Sequence, residues 1–356
     1  MHAVHEEILG FIDDGARNKF EDLALAAFAH QFDSIDPYRR FCLARGRTPD
    51  SVHDWPEIPP VPIQAFKQVD LCCGTPQRTF FSTGTTQGPG RRSRHCMPDL
   101  RLYRRSAVAG LRSFLFPDVD RVRIISLIHS AGPRPDSSLA QMVAWAIEGF
   151  GDSGSGYVVG DQGIEFDRLV GLLRDTEQTG QLCGLMTTTA ALIHVLDYAR
   201  DHGLSFRLPH GSRLMDTGGD KGAPRHLSRN GILHACWATF AIPGYFCVNE
   251  YGMTELSSQY YDNVIANRVK GKHARRAKIG PHWVRTLVLD PDSLLPVPVG
   301  SRGLLCHYDL ANAGSAVAVL SEDVGRAIGD GFEVLGRAAG AEARGCSLNL
   351  AEWESR

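Results

Sequence analysis

Several common sequence features are missing from this chain of 356 residues. No apolar run approaches the roughly 20 residues of a membrane-spanning helix, and the N-terminus lacks a positive segment followed by an apolar core. We therefore expect a cytoplasmic protein without membrane insertion. The 38 basic and 40 acidic side chains leave a formal net charge of -2, so nucleic acid is not an expected partner. Six basic residues within 268–278 have no interleaved aromatic residues, which predicts a solvated loop there.

Metal-binding and disulfide patterns are absent as well. The nine cysteines are scattered and include no C-x-x-C pair, so they indicate neither a zinc ribbon nor a disulfide framework. The 14 histidines form no H-E-x-x-H motif. We therefore expect no cluster of protein ligands around a metal ion, and most cysteines are predicted to be small buried hydrophobes in a reducing compartment.

The hydrophobic pattern predicts an α/β protein. Helix-compatible spacing over residues 1–55 predicts a helical N-terminal cap. From residue 78, short apolar runs alternate with longer helical stretches, which is typical of a largely parallel sheet layered with helices. After about residue 280, strand-like runs separated by Gly, Pro, Asn and Asp predict a meander of strands.

A loop rich in hydroxyl residues and glycine follows the strand-like run that ends at Phe81. Its sequence is Phe81-Ser-Thr-Gly-Thr-Thr-Gln-Gly88. Glycine lets backbone N–H groups approach an oxyanion closely, and the Ser and Thr hydroxyls add donors, so the loop can bind phosphate oxygens. It is not a Walker A loop, which would need G-x-x-x-x-G-K-[ST]. By itself, the segment is equally compatible with an ordinary polar turn.

A second segment, Val248-Asn-Glu-Tyr-Gly-Met-Thr-Glu255, places an aromatic ring, a hydroxyl and a carboxylate close together. Tyr251 can lie against a planar base and Thr254 can donate to a phosphoryl oxygen. Glu255 can bind Mg²⁺ that also contacts phosphates. Taken singly, the segment could also be a strand end with a solvated Glu.

The two segments together resemble the adenylate-forming superfamily of acyl-CoA synthetases, peptide-synthetase adenylation domains and luciferases. Within it, the chain is most similar to the LuxE-like acyl-protein synthetases. Further matching segments follow in order over most of the chain: 135–143, 217–222, 281–285, 321–325 and 336–348. The resemblance implies an α/β fold of layered sheets and helices, with a large adenylate-forming domain over residues 1–325. Residues 326–356 would be the remnant of a strongly truncated C-terminal domain.

The resemblance implies a role for each matching residue, with ATP and Mg²⁺ as cofactors. Five residues would bind the β- and γ-phosphates: Ser82, Thr83, Gly84, Thr85 and Thr86. Gly218, Gly219 and Asp220 would flank the adenine, Tyr251 would stack against it, and Gly252 would also belong to the nucleotide site. Thr254 would contact the α-phosphate and Glu255 would bind Mg²⁺. Asp323 would bind the ribose hydroxyls, and Arg337 would follow it at the hinge. Asp216 stands where the branch has Glu.

The implied reaction joins a carboxylic acid to AMP and then moves the acyl group to a thiol. His129 or Ser130 would line the acyl pocket. Full-length relatives supply a Lys from the C-terminal domain, whereas this sequence ends 19 residues after Arg337. We expect Lys221 to supply that positive charge instead; a surface lysine is the alternative.

Cys346, beside Arg344, matches the acyl acceptor of the branch, and Arg344 would favour its thiolate; a buried structural cysteine is the alternative. An NADPH-dependent acyl reductase would then take the acyl group onward. Two other functions remain open: an acyl- or aryl-CoA ligase that uses free coenzyme A, and a non-catalytic scaffold subunit of a reductase complex.

Overall fold

The computed structural model describes residues 3–14, 19–83, 92–219 and 222–338. The chain forms two compact units. Unit 1 comprises Met1–Ala109, Met253–Gln259 and Ala277–Arg356, and unit 2 comprises Gly110–Gly252 and Tyr260–Arg276.

The described part of the chain contains nine helices and sixteen strands. The helices are α1 (Ala3–Asp14), α2 (Phe20–Ser34), α3 (Asp36–Ala44), α4 (Leu100–Phe114), α5 (Ser138–Phe150), α6 (Phe166–Thr179), α7 (Thr189–Asp201), α8 (Arg229–Phe240) and α9 (Val264–Val269). The strands are β1 (Val61–Pro62), β2 (Arg78–Phe81), β3 (Arg94–Met97), β4 (Arg123–Ser126), β5 (Gly156–Tyr157), β6 (Val159–Gly160), β7 (Gly163–Ile164), β8 (Cys183–Thr188), β9 (Arg213–Thr217), β10 (Cys247–Tyr251), β11 (Tyr260–Asp262), β12 (Lys278–Ile279), β13 (Val284–Leu289), β14 (Gly303–Asp309), β15 (Ala318–Ile328) and β16 (Gly331–Arg337). Short 3₁₀ segments cover Trp55–Glu57, Ile63–Lys67, Gly244–Phe246 and Leu310–Asn312.

Unit 2 is built on a parallel sheet. Strands β5, β4, β8, β9 and β10 lie side by side and run parallel, and β11 adds an antiparallel strand beside β10. Strand β9 is buried along its whole length and β8 along all but its last residue, as expected for parallel strands that are covered on both faces. The prediction of a largely parallel sheet with helices is confirmed for this unit.

Side-chain caps fix where three helices of unit 2 begin. Ser137, Thr188 and Ser228 each accept a hydrogen bond from a backbone N–H group three residues further on. Such caps satisfy N–H groups that the first helical turn leaves free. Because Thr188 ends β8 and also caps α7, the chain passes from strand to helix without an intervening loop.

Unit 1 contains the predicted meander. Strands β13, β14, β15 and β16 pair antiparallel in sequence order, β12 pairs with β16, and β1 runs parallel to β15. Every residue of β14 is buried. A separate antiparallel hairpin joins β2 and β3. This hairpin presents the predicted phosphate loop, since that loop lies between its two strands.

Residues 1–55, predicted to form a helical N-terminal cap, contain α1, α2 and α3, and the Gln31 side chain attaches α2 to the rest of unit 1. The fully buried side-chain amide of Gln31 donates to the carbonyl oxygens of Asn312 and Ala313, both at 3.0 Å. Its oxygen accepts the N–H group of Val317 at 3.0 Å. The cap is therefore an integral part of unit 1.

Several further predictions can be compared with the described residues. None of their helices is long and apolar enough to cross a membrane. Within the basic stretch, Arg276 and Lys278 depart from the predicted solvated loop. The Arg276 guanidinium contacts Asp262 at 2.6 Å, and Lys278 is buried in β12. The predicted domain boundary after residue 325 stays a prediction, because residues 339–356 lie outside the described part.

Candidate functional site

The neck of the predicted phosphate loop is closed by two hydrogen bonds. The Ser82 N–H group donates to the carbonyl oxygen of Ser93 at 3.1 Å, and the Ser93 N–H group donates to Ser82 Oγ at 3.0 Å. Arg92 also donates to the Ser82 carbonyl oxygen. Thr83 is exposed at the start of the loop. Gly84, Thr85 and Thr86 lie outside the described residues.

Glu255 is buried beside this neck. Its residue is 4% exposed, and the Ser93 side chain is hydrogen-bonded to its carboxylate. Burial raises the pKa of Glu255 because it penalises the charged form, while the Ser93 hydroxyl, the backbone N–H of Glu255 and the charges of Lys67 and Arg337 oppose that shift. Ser93 therefore connects the base of the phosphate loop directly to the predicted metal ligand.

The backbone around Glu255 is fixed by two side chains. His95 Nδ1 donates to the carbonyl oxygen of Thr254 at 2.6 Å, and the Asn312 amide donates to that of Glu255 at 2.8 Å. Burial lowers the pKa of His95 to about 4, so this imidazole is neutral at pH 7. The Thr254–Glu255 segment is thus attached to β3 on one side and to residue 312 on the other.

A buried carboxylate, Asp309, holds the next two residues. It accepts the N–H groups of Ser257 and Ser258 at 3.0 and 2.8 Å, and the Ser258 hydroxyl donates to it at 2.6 Å. Burial raises the pKa of Asp309 to about 6, although its hydrogen bonds act in the opposite direction. The turn after Glu255 therefore rests on a single fully buried side chain.

Two more predicted residues lie next to each other on paired strands. Asp323 of β15 is in register with Arg337 of β16, and the Arg337 Nε atom lies 3.5 Å from the Asp323 carboxylate. Arg337 also lies 4.0 Å from Glu322, whose carboxylate accepts a hydrogen bond from the Gln64 amide. The structure thus brings Asp323 and Arg337 together.

In unit 2, the remaining predicted residues follow the carboxyl ends of parallel strands. His129 and Ser130 come after β4, Gly218 and Gly219 after β9, and Gly252 after β10. The carboxyl ends of parallel strands lie at one edge of a sheet, which is where α/β proteins bind ligands. His129 and Ser130 are half-buried there, and Gly218 adopts a left-handed φ of 73°.

Asp216 is the centre of a buried network. Its carboxylate accepts hydrogen bonds from Arg229 at 2.6 Å, and from Thr189 and Asn249 at 2.9 Å each. The Thr189 hydroxyl also lies 2.9 Å from the carbonyl oxygen of Gly218. Asp216 is 1% exposed, so its visible role is to hold the backbone that leads into the predicted adenine-binding turn.

The two residues that lead into the predicted adenine contacts are also linked to each other. The Thr217 hydroxyl donates to the buried carboxylate of Glu250 across β9 and β10. Tyr251 follows Glu250 and is half-buried, with its ring centroid 6.0 Å from that of Tyr260. Glu250 thereby fixes the end of β10 just before the predicted aromatic contact.

Several functional candidates lie outside the described residues, and others were not predicted from the sequence. The former are Asp220, Lys221 and Cys346, together with Gly84, Thr85 and Thr86. The latter are Ser93, His95 and Asn312, which hold Glu255 and its neighbours. One signal for Ser93 and His95 was available in the sequence. They are two residues apart where β3 begins, so their side chains lie on one face of the hairpin.

The donor set around Glu255 fits Mg²⁺. Within the described part of the chain, no three His, Cys, Asp or Glu side chains cluster as metal ligands. Mg²⁺ in phosphate-processing sites commonly takes one or two carboxylates, with the substrate phosphates and water as its other ligands. A single desolvated carboxylate beside a phosphate loop meets that requirement, and a bound cation would compensate the burial of Glu255.

The sequence matches the model of one protein family over nearly its full length. That family is described as LuxE acyl-protein synthetase, and residues 7–353 match it. No curated protein has a significantly similar sequence.

Solved structures of adenylate-forming ligases have a similar fold. The structure of 2-hydroxyisobutyryl-CoA ligase with 2-HIB-AMP gives a TM-score of 0.64 at 15% identity, covering 95% of this chain and 76% of that one. ATP-bound MatB from Rhodopseudomonas palustris gives 0.51 at 15% identity, covering 74% of this chain and 49% of that one. At these identities the likeness establishes the fold, and it confirms the predicted α/β class.

Proposed function

Because the chain belongs to the LuxE family of acyl-protein synthetases, which are ATP-dependent ligases that form acyl adenylates, we propose that it activates a carboxylic acid and passes the acyl group to Cys346. A carboxylate oxygen of the acid forms a bond to the α-phosphorus of ATP, and the bond to the bridging oxygen breaks. Acyl-AMP and pyrophosphate result. The observation that carries this proposal is the hydrogen bond between the Ser93 side chain and Glu255. It links the base of the phosphate loop to the predicted metal ligand.

The proposed nucleotide contacts follow the family motifs. The loop 82–86 would donate to the β- and γ-phosphates, Thr254 to the α-phosphate, and Asp323 would accept the ribose hydroxyls. The segments 218–220 and 251–252 would enclose the adenine. Glu255 would hold Mg²⁺, which supplies positive charge to the phosphate oxygens when bound. Arg337 would orient Asp323, to which it lies adjacent.

Acyl transfer is proposed to use Cys346. Its thiolate would attack the acyl carbonyl carbon. A C–S bond forms, the bond between that carbon and the oxygen bridging to phosphorus breaks, and AMP leaves. Arg344 would stabilise the thiolate by its charge. His129 and Ser130 would line the acyl pocket, and Lys221 would place a cation near the phosphates. An NADPH-dependent acyl reductase would then receive the acyl group from the thioester.

The first step is tested by ATP–pyrophosphate exchange with a panel of fatty, aryl and amino acids. We expect exchange with at least one acid, and we expect Glu255→Gln to slow it at least a hundredfold. Ser293→Ala, a change at an exposed turn, serves as the control and should match the wild type. Absence of exchange with every acid would indicate a scaffold subunit and contradict the proposal.

The acceptor is tested by mass spectrometry after incubation with ATP and the active acid. An acyl adduct on Cys346 that hydroxylamine removes, and that Cys346→Ser abolishes, is the expected result. Coenzyme A is then added to the wild type. Soluble acyl-CoA formed without any adduct on the protein would identify the chain as a CoA ligase instead.

A further inference from the structure

One short segment of unit 1 contacts β15, which carries a family motif, and β3, which follows the phosphate loop. The 3₁₀ segment Ile63–Lys67 follows β1, which pairs with β15 through Val61 and Val319. Gln64 donates to Glu322 of β15, immediately before Asp323. On the other side, the Phe66 ring meets the His95 ring of β3 edge-on, with centroids 6.0 Å apart.

This packing brings the segment that carries Lys67 close to the backbone of Thr254, the residue before the buried carboxylate. Phe66 is fully buried under His95, and His95 in turn bonds the backbone of Thr254, the residue before Glu255. Lys67 is half-buried, and its charge acts on Glu255. The described part of the chain offers the Lys67 ammonium no hydrogen bond and no ion pair at contact distance.

Arg337, the second cation that acts on Glu255, already pairs with two other carboxylates. Arg337 lies against Asp323 and Glu322 at 3.5 and 4.0 Å, and its side chain is 62% exposed. Two carboxylates therefore already balance the charge of this guanidinium locally. Of the two described cations whose charge acts on Glu255, Lys67 is the one without a paired carboxylate at contact distance.

A half-buried ammonium without a hydrogen-bond partner among the described residues suits an anionic ligand. A partly buried ammonium loses hydration, and an anion in contact with it compensates that loss. The charge of Glu255 partly compensates the lost hydration, but Glu255 is itself the proposed ligand of Mg²⁺. Negative charge builds on the α-phosphoryl oxygens during adenylation. An ammonium already in position would stabilise that charge without a rearrangement of the site.

We propose that Lys67 is a catalytic lysine of the adenylation step, binding phosphate oxygens next to the metal that Glu255 holds; this rests on the proposed function above. The acid's carboxylate oxygen bonds to the α-phosphorus as pyrophosphate leaves. Lys67 stays protonated throughout and gives up no proton. This role is separate from the one proposed for Lys221.

The test separates adenylation from acyl transfer. Lys67→Met keeps the length of the side chain and removes its charge, and Lys270→Met, at an exposed position, is the matched control. For Lys67→Met we expect the turnover of ATP–pyrophosphate exchange to fall at least a hundredfold, with the KM for ATP changing less than tenfold. Transfer from chemically synthesised acyl-AMP to the protein thiol should stay within threefold of wild type. The dissociation constant of α,β-methylene-ATP should rise, but less than tenfold.

Restored charge should restore part of the rate. Lys67→Arg is expected to exchange at least tenfold faster than Lys67→Met. The inference is overturned if Lys67→Met exchanges within threefold of wild type, if Lys67→Arg is no faster than Lys67→Met, or if transfer from acyl-AMP is lost equally. Failure of the proposed function gives a different result, because the wild type itself would then show no exchange with any acid.

Discussion

The Ser93 side chain is hydrogen-bonded to the Glu255 carboxylate, and both residues are buried. The backbone of Ser93 simultaneously pairs with Ser82 at the neck of the phosphate loop. A change in the position of the loop neck is therefore transmitted to the carboxylate through one residue. The first prediction concerns this connection.

Ser93→Ala removes the side-chain hydrogen bond to Glu255 and leaves the backbone pairing with Ser82 in place. Because residues that orient a metal ligand contribute about ten- to a hundredfold to metal affinity, we expect the Mg²⁺ concentration for half-maximal pyrophosphate release to rise about tenfold. Titration of Mg²⁺ against the rate measures this. Ser293→Ala should leave the titration unchanged, and an unaltered Mg²⁺ requirement in Ser93→Ala would count against Glu255 as the metal ligand.

His95 makes the stability of the fold depend on pH. Its pKa of about 4 in the folded state is below the ordinary value of 6.5, so the unfolded chain binds more protons between these two values. Stability is therefore complete above pH 6.5 and is lost as the pH falls toward 4. By pH 5 the loss from this group is about 2 kcal/mol.

His95→Asn provides the comparison for that prediction. The Asn amide can donate to the Thr254 carbonyl as Nδ1 does, but it does not titrate. Urea unfolding at pH 7 and pH 5 should show a smaller decrease in the free energy of unfolding for the variant. Equal decreases in the two proteins would show that His95 is not buried in its neutral form.

Asp309 acts in the opposite direction. Its pKa of about 6 in the folded state is above the ordinary value of 3.8, so the folded state binds the proton more tightly. Its contribution is fully present below pH 3.8 and is lost as the pH rises through 6. Between pH 7 and pH 5 the wild type should therefore gain about 1 kcal/mol relative to Asp309→Asn. Urea unfolding of both proteins at the two pH values measures it, and a constant difference between them would refute the assignment.

Arg229→Met should strongly destabilise the protein. The variant leaves the carboxylate of Asp216 buried without its cation, and breaking a buried pair from one side costs about 3–5 kcal/mol. Arg225→Met breaks the pair with Asp197 at the surface and should cost about 0–1 kcal/mol. Thermal unfolding of the two variants gives the comparison. Similar melting temperatures would mean that the Asp216 network is not a single buried unit.

The fold was predictable where the spacing of apolar residues determines it. The alternation of apolar runs with helical stretches after residue 78 predicted a largely parallel sheet, and β4, β8, β9 and β10 form one. The strand-like runs after about residue 280 predicted a meander, and β13, β14, β15 and β16 pair in sequence order. Local periodicity suffices in both cases, because each strand buries residues that are contiguous in the sequence.

The site was only partly predictable, because its supporting residues come from distant segments. Asp216 was identified only as a departure from a family pattern. Its partners Thr189, Arg229 and Asn249 come from three other elements, and nothing in the local sequence predicts that they converge. The same holds for Ser93, which lies more than 160 residues before Glu255 and meets it only through the hairpin.

Through the amide of Gln31, the first helices support the backbone next to the candidate site. A version of the protein beginning at Ile35 would leave the carbonyls of Asn312 and Ala313 and the N–H of Val317 without the group that satisfies them. Each such loss costs about 1–3 kcal/mol. Since the Asn312 side chain supports the carbonyl of Glu255, trimming residues that bear no family motif should slow turnover as well as weaken the fold.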